Sequence, residues 1–277
     1  MATFTNRATL SYNGGSVDSN VVTGTINETL SLTKNALTPD YTRDGNVVYV
    51  INLVNSGTAA FSELTLTDDL GGSINPPLDY NSVVAYYVNG VLQPDPTVTA
   101  TNPLTITGIN VPAGSNATII YTASVNEFAP LAALSTITNT ASVTGEGIIN
   151  PAVAIETITV REAPELAITK ALSPTTVIEN DTVTYTFTIQ NFGNTAVDAT
   201  DNAVVTDSFD PVLRNISVVY EGEQWTSPAN YSYDTVTGLF ATNEGEITVP
   251  AATYLQNPDG SYQTIPGSVT LTVTGTV

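Results

Sequence analysis

The 277-residue chain has no cysteine and no histidine, one methionine, one tryptophan, and six lysines and arginines together. Without cysteine there is no disulfide to staple a fold and no thiolate to serve as nucleophile or ligand. Without histidine the commonest general base and the commonest ligand of softer metals are both missing. The shortage of basic residues leaves a formal net charge of −20. That excludes a phosphate-neutralising surface, and with it nucleic acid as a partner. It also disfavours docking on an anionic membrane. No apolar run reaches membrane-spanning length, so no membrane insertion is expected. No long stretch carries helical apolar spacing. No secretory signal follows Met1, where the residues are polar and alternating. This fits either assembly inside a cell, as for spore-coat components, or a signal already removed.

What the chain does have is Thr, Val, Asn, Ser, Ile and Tyr, punctuated by Gly and Pro at short intervals. Such a composition predicts many short strands joined by turns, and the length favours two domains. An internal repeat organises them. Residue n placed against residue n + 136 sets Leu30-Ser31-Leu32-Thr33-Lys34 on Leu166-Ala167-Ile168-Thr169-Lys170. Val47 then falls on Val183, Tyr49 on Tyr185, Asn55 on Asn191 and Gly57 on Gly193. After a short insertion around residues 198–201, Thr67-Asp68 matches Thr206-Asp207. Residues 46–55 and 181–191 alternate apolar and polar side chains, and Asn-Ser-Gly or Asn-Phe-Gly ends each run with turn chemistry. The fold class is therefore all-β, two tandem immunoglobulin-like sandwiches.

The two copies end differently. The first continues past Val125 into "STITNTASVTGE" (135–146) and "AVAIETITV" (152–160), a plausible terminal hairpin. The second stops at Val277 and is expected to lack both strands. Residues 3–27 read as such a hairpin with no body attached, because Thr5-Asn6-Arg7-Ala8-Thr9 lines up with Thr138-Asn139-Thr140-Ala141-Ser142. The expected division is an N-terminal donor hairpin (1–29), a complete sandwich (30–160) and an incomplete acceptor sandwich (161–277). The hairpin could fold back into its own second copy or insert into that of a neighbour. The short connection near Asn27–Thr29 leaves little reach for folding back. Insertion into a neighbour is a contact that does not close, so it generates a filament.

The only two lysines, Lys34 and Lys170, stand at equivalent positions. Residues two apart in a strand share a face, so Leu30, Leu32 and Lys34 point one way, as do Leu166, Ile168 and Lys170. Phe4, Asn6, Ala8 and Leu10 share a face of the donor strand, and Ile137, Asn139, Ala141 and Val143 share the equivalent one. Asp68 lies on a face with Leu64, Leu66 and Leu70, and Asp207 with Ala203, Val205 and Phe209. Both lysines are thus expected to project toward a core, each with an Asn and an Asp. Burial lowers a lysine pKa and raises an aspartate's, favouring a neutral amine beside a carboxylic acid. A neutral amine is a nucleophile, and a hydrogen bond from the acid would polarise a carboxamide for attack. Loss of ammonia would leave a Lys–Asn isopeptide bond. The alternatives are lysines that snorkel to solvent beside an Asp and Asn side chains that bond a neighbouring backbone.

The pattern L-x-I-T-K … V-x-Y … N-x-G … T-D … T-N-x-A resembles the DUF11-like repeat domain of bacterial and archaeal surface proteins, across nearly the whole chain. The Lys/Asn/Asp set also resembles the self-crosslinking sandwiches of Gram-positive pilins and adhesins. That resemblance implies an intramolecular bond among Lys34, Asp68 and Asn139. It implies an intermolecular one among Lys170, Asp207 and Asn6 of a neighbour, with the chain itself as partner in a head-to-tail homopolymer. No C-terminal sorting signal with a basic tail is present, so sortase attachment is not expected.

Acidic loops at 198–202 and 257–262 carry oxygen ligands suited to calcium, but solvated turns are the plainer reading and no metal or cofactor is expected. Trp225, Tyr231 and Tyr233 offer a glycan platform or, more ordinarily, packing. Asn116, Asn215 and Asn230 begin glycosylation-type triplets of a kind common by chance in such a chain. No nucleophile–base pair or phosphate loop is found, so an enzyme is not expected. The expected role is a structural subunit of an extracellular, cell-surface or spore-surface fibre. The alternative is a monomeric adhesin or ligand-binding module.

Overall fold

The computed structural model describes residues 2–26 and 30–277. Met1 and the connection Asn27–Thr29 lie outside the described residues. The chain divides into two compact units. One holds the residues up to Pro130 with Ser135–Val160, and the other holds Leu131–Leu134 with Arg161–Val277.

The first unit begins with β1 (Ala2–Asn6), β2 (Thr9–Tyr12), β3 (Gly15–Asp18) and β4 (Val22–Ile26). These form one long hairpin: β1 pairs with β4 and β2 with β3, both antiparallel. Among the described residues its hydrogen bonds and its ion pair run within the hairpin, Arg7 to Asp18 included. Its apolar side chains stand in solvent, Phe4 55% and Leu10 66% exposed.

The sandwich of that unit follows as β5 (Leu30–Ala36), β6 (Asp40–Tyr41), β7 (Asn46–Asn55), β8 (Phe61–Asp68), β9 (Leu78–Val88), β10 (Val91–Leu92), β11 (Thr97–Thr101), β12 (Leu104–Val111), β13 (Asn116–Val125), β14 (Thr136–Thr144) and β15 (Ala152–Val160). One sheet runs β10-β9-β13-β7-β5 and the other β11-β12-β8-β14-β15-β6. The period-two pattern is obeyed residue by residue. Val47, Tyr49, Ile51 and Leu53 of β7 and Ala117, Ile119, Tyr121 and Ala123 of β13 are wholly buried, while their neighbours face out. The Asn of each N-x-G turn is itself buried. The Asn55 Nδ2 donates to the carbonyls of Ala59, Val111 and Pro112, and Gly57 N donates to its Oδ1. Asn191 repeats this with Thr195 and Gly193. A side chain that satisfies several backbone groups of a buried loop explains why the repeat keeps Asn there.

The second unit contains β16 (Leu166–Ser173), β17 (Thr182–Asn191), a 3-10 turn (Ala199–Asp201), β18 (Thr206–Ser208), β19 (Arg214–Tyr220), β20 (Glu223–Trp225), β21 (Tyr231–Tyr233), β22 (Leu239–Thr242), β23 (Thr253–Gln256), β24 (Tyr262–Ile265) and β25 (Gly267–Thr276). Its larger sheet, β16-β17-β25-β19-β20, matches that of the first sandwich. Among the described residues the facing sheet has only β18-β22-β21, with β23-β24 as a separate ribbon. Its core gathers Phe187, Phe209, Trp225, Phe240, Leu271 and Val273 among others.

Lys170 and its face-mates Leu166 and Ile168 do not project into a core: every residue of β16 is exposed. In the first sandwich β15 and β14 lie over β5 and bury Leu32 and Lys34. In the second, among the described residues, nothing lies over β16, so the same alternation meets solvent.

Candidate functional site

In the first sandwich, β5 presents Lys34, β8 presents Asp68 and β14 presents Asn139, and all three are buried. Lys34 Nζ lies 2.5 Å from Asp68 Oδ2, and both side chains are fully enclosed. Asp68 Oδ2 also accepts from the Tyr121 hydroxyl at 2.6 Å, and its Oδ1 accepts from Leu70 N at 3.1 Å. Asn139 Nδ2 donates to that same Tyr121 hydroxyl at 3.4 Å. Tyr121 therefore links the acid to the carboxamide. Nothing in the spacing of Tyr121 along β13 marks it out from the other inward-facing residues of that strand.

The ammonium of Lys34 lies 4.6 Å from the centre of the Tyr49 ring, which stacks on Tyr121. Burial pulls the Lys34 pKa below its ordinary value, and the nearby Asp68 offsets part of that. Burial likewise pushes both phenols up, Tyr121 well above the ordinary value. Asn139 stands near enough to Tyr49 to counter some of that push, yet no hydrogen bond of normal geometry joins them. Asn139 Oδ1 and the Tyr49 hydroxyl both lack a partner. A buried carbonyl oxygen left unmet costs about 1–3 kcal/mol, so the pocket holds both a lysine whose charge burial disfavours and a carboxamide with an unsatisfied oxygen.

The second sandwich repeats half of this. Lys170 Nζ is paired with Asp207 Oδ2, but the lysine side chain is 40% exposed. Its ammonium lies over the rings of Tyr185, Phe187 and Phe209, 4.4, 5.4 and 5.4 Å from their centres. Val273 pairs with Tyr185 where Tyr121 pairs with Tyr49, so the bridging phenol has no counterpart.

The outer edge of β18 explains the missing half. In the first sandwich β8 has β12 on one side and β14 on the other, with Ala141 opposite Asp68 and Val143 opposite Leu66. There Asp69 N donates to Thr140 O of β14. In the second sandwich, among the described residues, β18 pairs with β22 alone. Ser208 N, the counterpart of Asp69 N, is held at 2.9 Å by the Asp207 carboxylate. Asp207 thus caps an unpaired edge. Two clefts flank Lys170 along β16. One, about 160 Å³, is lined by Leu166, Ile168, Ile189, Ala203, Val205 and Ile247 among others. The other, about 690 Å³, is lined by Leu172, Val177, Tyr185, Pro211, Val212 and Val277 among others.

Asn6, with Phe4, Ala8 and Leu10, stands on the exposed hairpin. Trp225 lies tilted against Tyr220 and is buried with Tyr231. Asp198 caps the 3-10 turn and Asp259 binds Ser261 within its own turn. Among the described residues, no group of three or more acidic side chains is placed to hold a metal, and no helix is long and apolar enough to cross a membrane.

No family model matches the chain, and no curated protein matches it. Solved structures similar to it include BcpA, the major pilin subunit of Bacillus cereus. That likeness is 14% identical, covers 96% of this chain and 73% of that one, and has a TM-score of 0.36. A 35 kDa C-terminal fragment of the Streptococcus agalactiae major pilin is 13% identical over 87% of this chain and 91% of that one, with a TM-score of 0.34. The CARDB domain of a Pyrococcus furiosus protein, solved with di-metal ions, is 11% identical over 48% of this chain and 89% of that one, with a TM-score of 0.29.

Proposed function

We propose that the chain is a structural subunit of a pilus-like surface fibre, polymerising head to tail. The N-terminal hairpin of one subunit lies along β18 of the next and covers its β16. The observation that carries this is the difference between the two sandwiches: β14–β15 closes the first, and the same place in the second is an unpaired edge over an exposed apolar strand. The occupant that fits is a second copy of this chain. Its hairpin carries Phe4, Asn6, Ala8 and Leu10 at the spacing of Ile137, Asn139, Ala141 and Val143, and that face is solvent-exposed. Its one arginine and one aspartate pair with each other, so it brings no net charge to a strongly acidic chain. Each large apolar side chain buried on docking contributes about 1.5–3 kcal/mol. Main-chain hydrogen bonds along the β18 edge fix the strand.

Docking would bring Asn6 to the site of Lys170 as β14 brings Asn139 to the pocket of Lys34 and Asp68. Bond formation joins Lys Nζ to Asn Cγ, breaks Cγ–Nδ2, and releases ammonia that carries off the proton shed by the amine. In the first sandwich Tyr121 links Asp68 to the carboxamide and the two pass the proton; in the second, Asp207 takes that role without a phenol between. The first bond would brace a subunit and the second would weld neighbours together.

The test is electron microscopy of the purified chain with and without an excess of a synthetic peptide spanning residues 2–26. Fibres that shorten as peptide is added support the reading. Compact particles at every concentration, unaffected by peptide, would refute it.

A further inference from the structure

We infer that Phe4, laid across Gly24, is the pin that sets the register of the docked hairpin, seating in the larger cleft beside Leu172. This rests on the donor reading above and adds which residue decides alignment. Phe4 and Gly24 are direct cross-strand partners, and the ring covers the glycine so closely that any Cβ there would overlap it. The corresponding pair in the first sandwich is Ile137 and Ile158, both buried. One pair is Ile opposite Ile. The other is Phe opposite Gly, with the ring lying where the second branched side chain would stand. Volume moves from one strand to its neighbour while the sum is roughly kept, the kind of exchange a packed site tolerates.

The receiving surfaces agree. Ile137 packs against Gly71, whose counterpart, counted on from Asp207, is Asp210. Asp210 and Pro211 line the larger cleft with Val183, Tyr185 and Val277. At the other end Val143 pairs with Leu66. Its counterpart Leu10 therefore falls at Val205, in the smaller cleft. The two clefts differ about fourfold in volume, roughly 690 against 160 Å³. The larger cleft has the room that the ring needs beside Leu172. A strand slipped by two residues would keep its apolar face inward, but would set Phe4 or Ala8 against Lys170 in place of Asn6. The unequal clefts oppose that slip.

The experiment uses the full chain carrying Asn6→Ala as acceptor, so that a covalent adduct on Lys170 comes from added peptide 2–26, and follows its rate by intact mass and peptide mapping. With wild-type peptide an adduct is expected on Lys170, one ammonia lighter than the sum of its parts. Phe4→Ala in the peptide should lower the rate at limiting peptide roughly tenfold or more. It should also lower the rate at saturation, because a sliding strand presents Asn6 to Lys170 only part of the time. Gly24→Ile alone should do equal harm, and Phe4→Ile with Gly24→Ile should restore the saturated rate. If Phe4→Ala weakens binding but leaves the saturated rate unchanged, Phe4 is an affinity contact and the register claim is overturned while the donor reading stands. If wild-type peptide neither binds nor reacts, the donor reading falls and takes the pin with it.

Discussion

The two sandwiches carry the same lysine–aspartate pair on corresponding strands, yet one pair is sealed and the other is wet. Nothing in β5 or β16 alone accounts for this, since Leu-Ser-Leu-Thr-Lys and Leu-Ala-Ile-Thr-Lys are nearly the same segment. The difference comes from the strands that cover them. β14 and β15 enclose Lys34, supply Asn139, and give Asp69 N a main-chain partner. Over β16, among the described residues, no such pair stands, so Lys170 keeps solvent contact and Asp207 folds back onto Ser208 N. Burial, and with it the chemistry of the lysine, belongs to the tertiary neighbour and not to the lysine's own strand.

The largest effect that would sharpen this contrast is covalent. Under the proposed chemistry, Lys170→Met should abolish every boiling-resistant multimer on a denaturing gel while native fibres persist, because methionine keeps the apolar stem and loses the nucleophile. Lys34→Met should leave the multimers and remove one ammonia loss from each subunit's mass. If Lys170→Met leaves the ladder intact, the intermolecular bond is not made at that lysine.

A second, smaller contrast is one of stability. Leu32 is buried under β15, and Leu32→Ala should cost about 2–5 kcal/mol in denaturant unfolding. Ile168 occupies the matching position but is 54% exposed, so Ile168→Ala should change the unassembled subunit by no more than about 0.5 kcal/mol. The same change should cut fibre yield, since it removes apolar area from the docking face. Equal destabilisation at both positions would mean that β16 is already covered within the subunit.

Much of this was legible in the sequence. The period-two alternation, the N-x-G turns and the 136-residue offset foretold two similar sandwiches, because strand periodicity and turn chemistry are local. The three residues of the first site were legible too: a lysine on an apolar face is costly enough to demand partners. Two things were not. Tyr121 bridges Asp68 to Asn139 only because β13 sits opposite β8 across the core, a relation that no spacing along the chain encodes. The exposure of Lys170 was misread because alternation reports which residues share a face and not whether anything lies against that face. The Phe4–Gly24 exchange was hidden for a related reason. It is a cross-strand compensation, visible only once the hairpin register is fixed.

The smallest effect is a pH dependence confined to the closed site. In Asn139→Ala, Lys34 remains a free amine whose pKa lies below its ordinary value of 10.5, because burial disfavours the charged form. The folded state then sheds that proton at a lower pH than the unfolded chain. Across the interval up to 10.5 the unfolded chain binds more protons, so stability rises with pH there and is lost as pH falls through the lowered value. Tyr49 and Tyr121 act in the opposite sense. Both are raised from 10.0 by burial, so their contribution is present below pH 10 and declines once the unfolded phenols begin to ionise. Urea-unfolding stabilities of Asn139→Ala should therefore climb as pH rises toward about 10, with a slope of at most about 1.4 kcal/mol per pH unit, and fall beyond it. Adding Lys34→Met should flatten the climb and keep the fall. A flat profile below pH 10 in Asn139→Ala itself would mean that Lys34 stays charged in its pocket, and direct attack by a neutral amine would lose its physical basis.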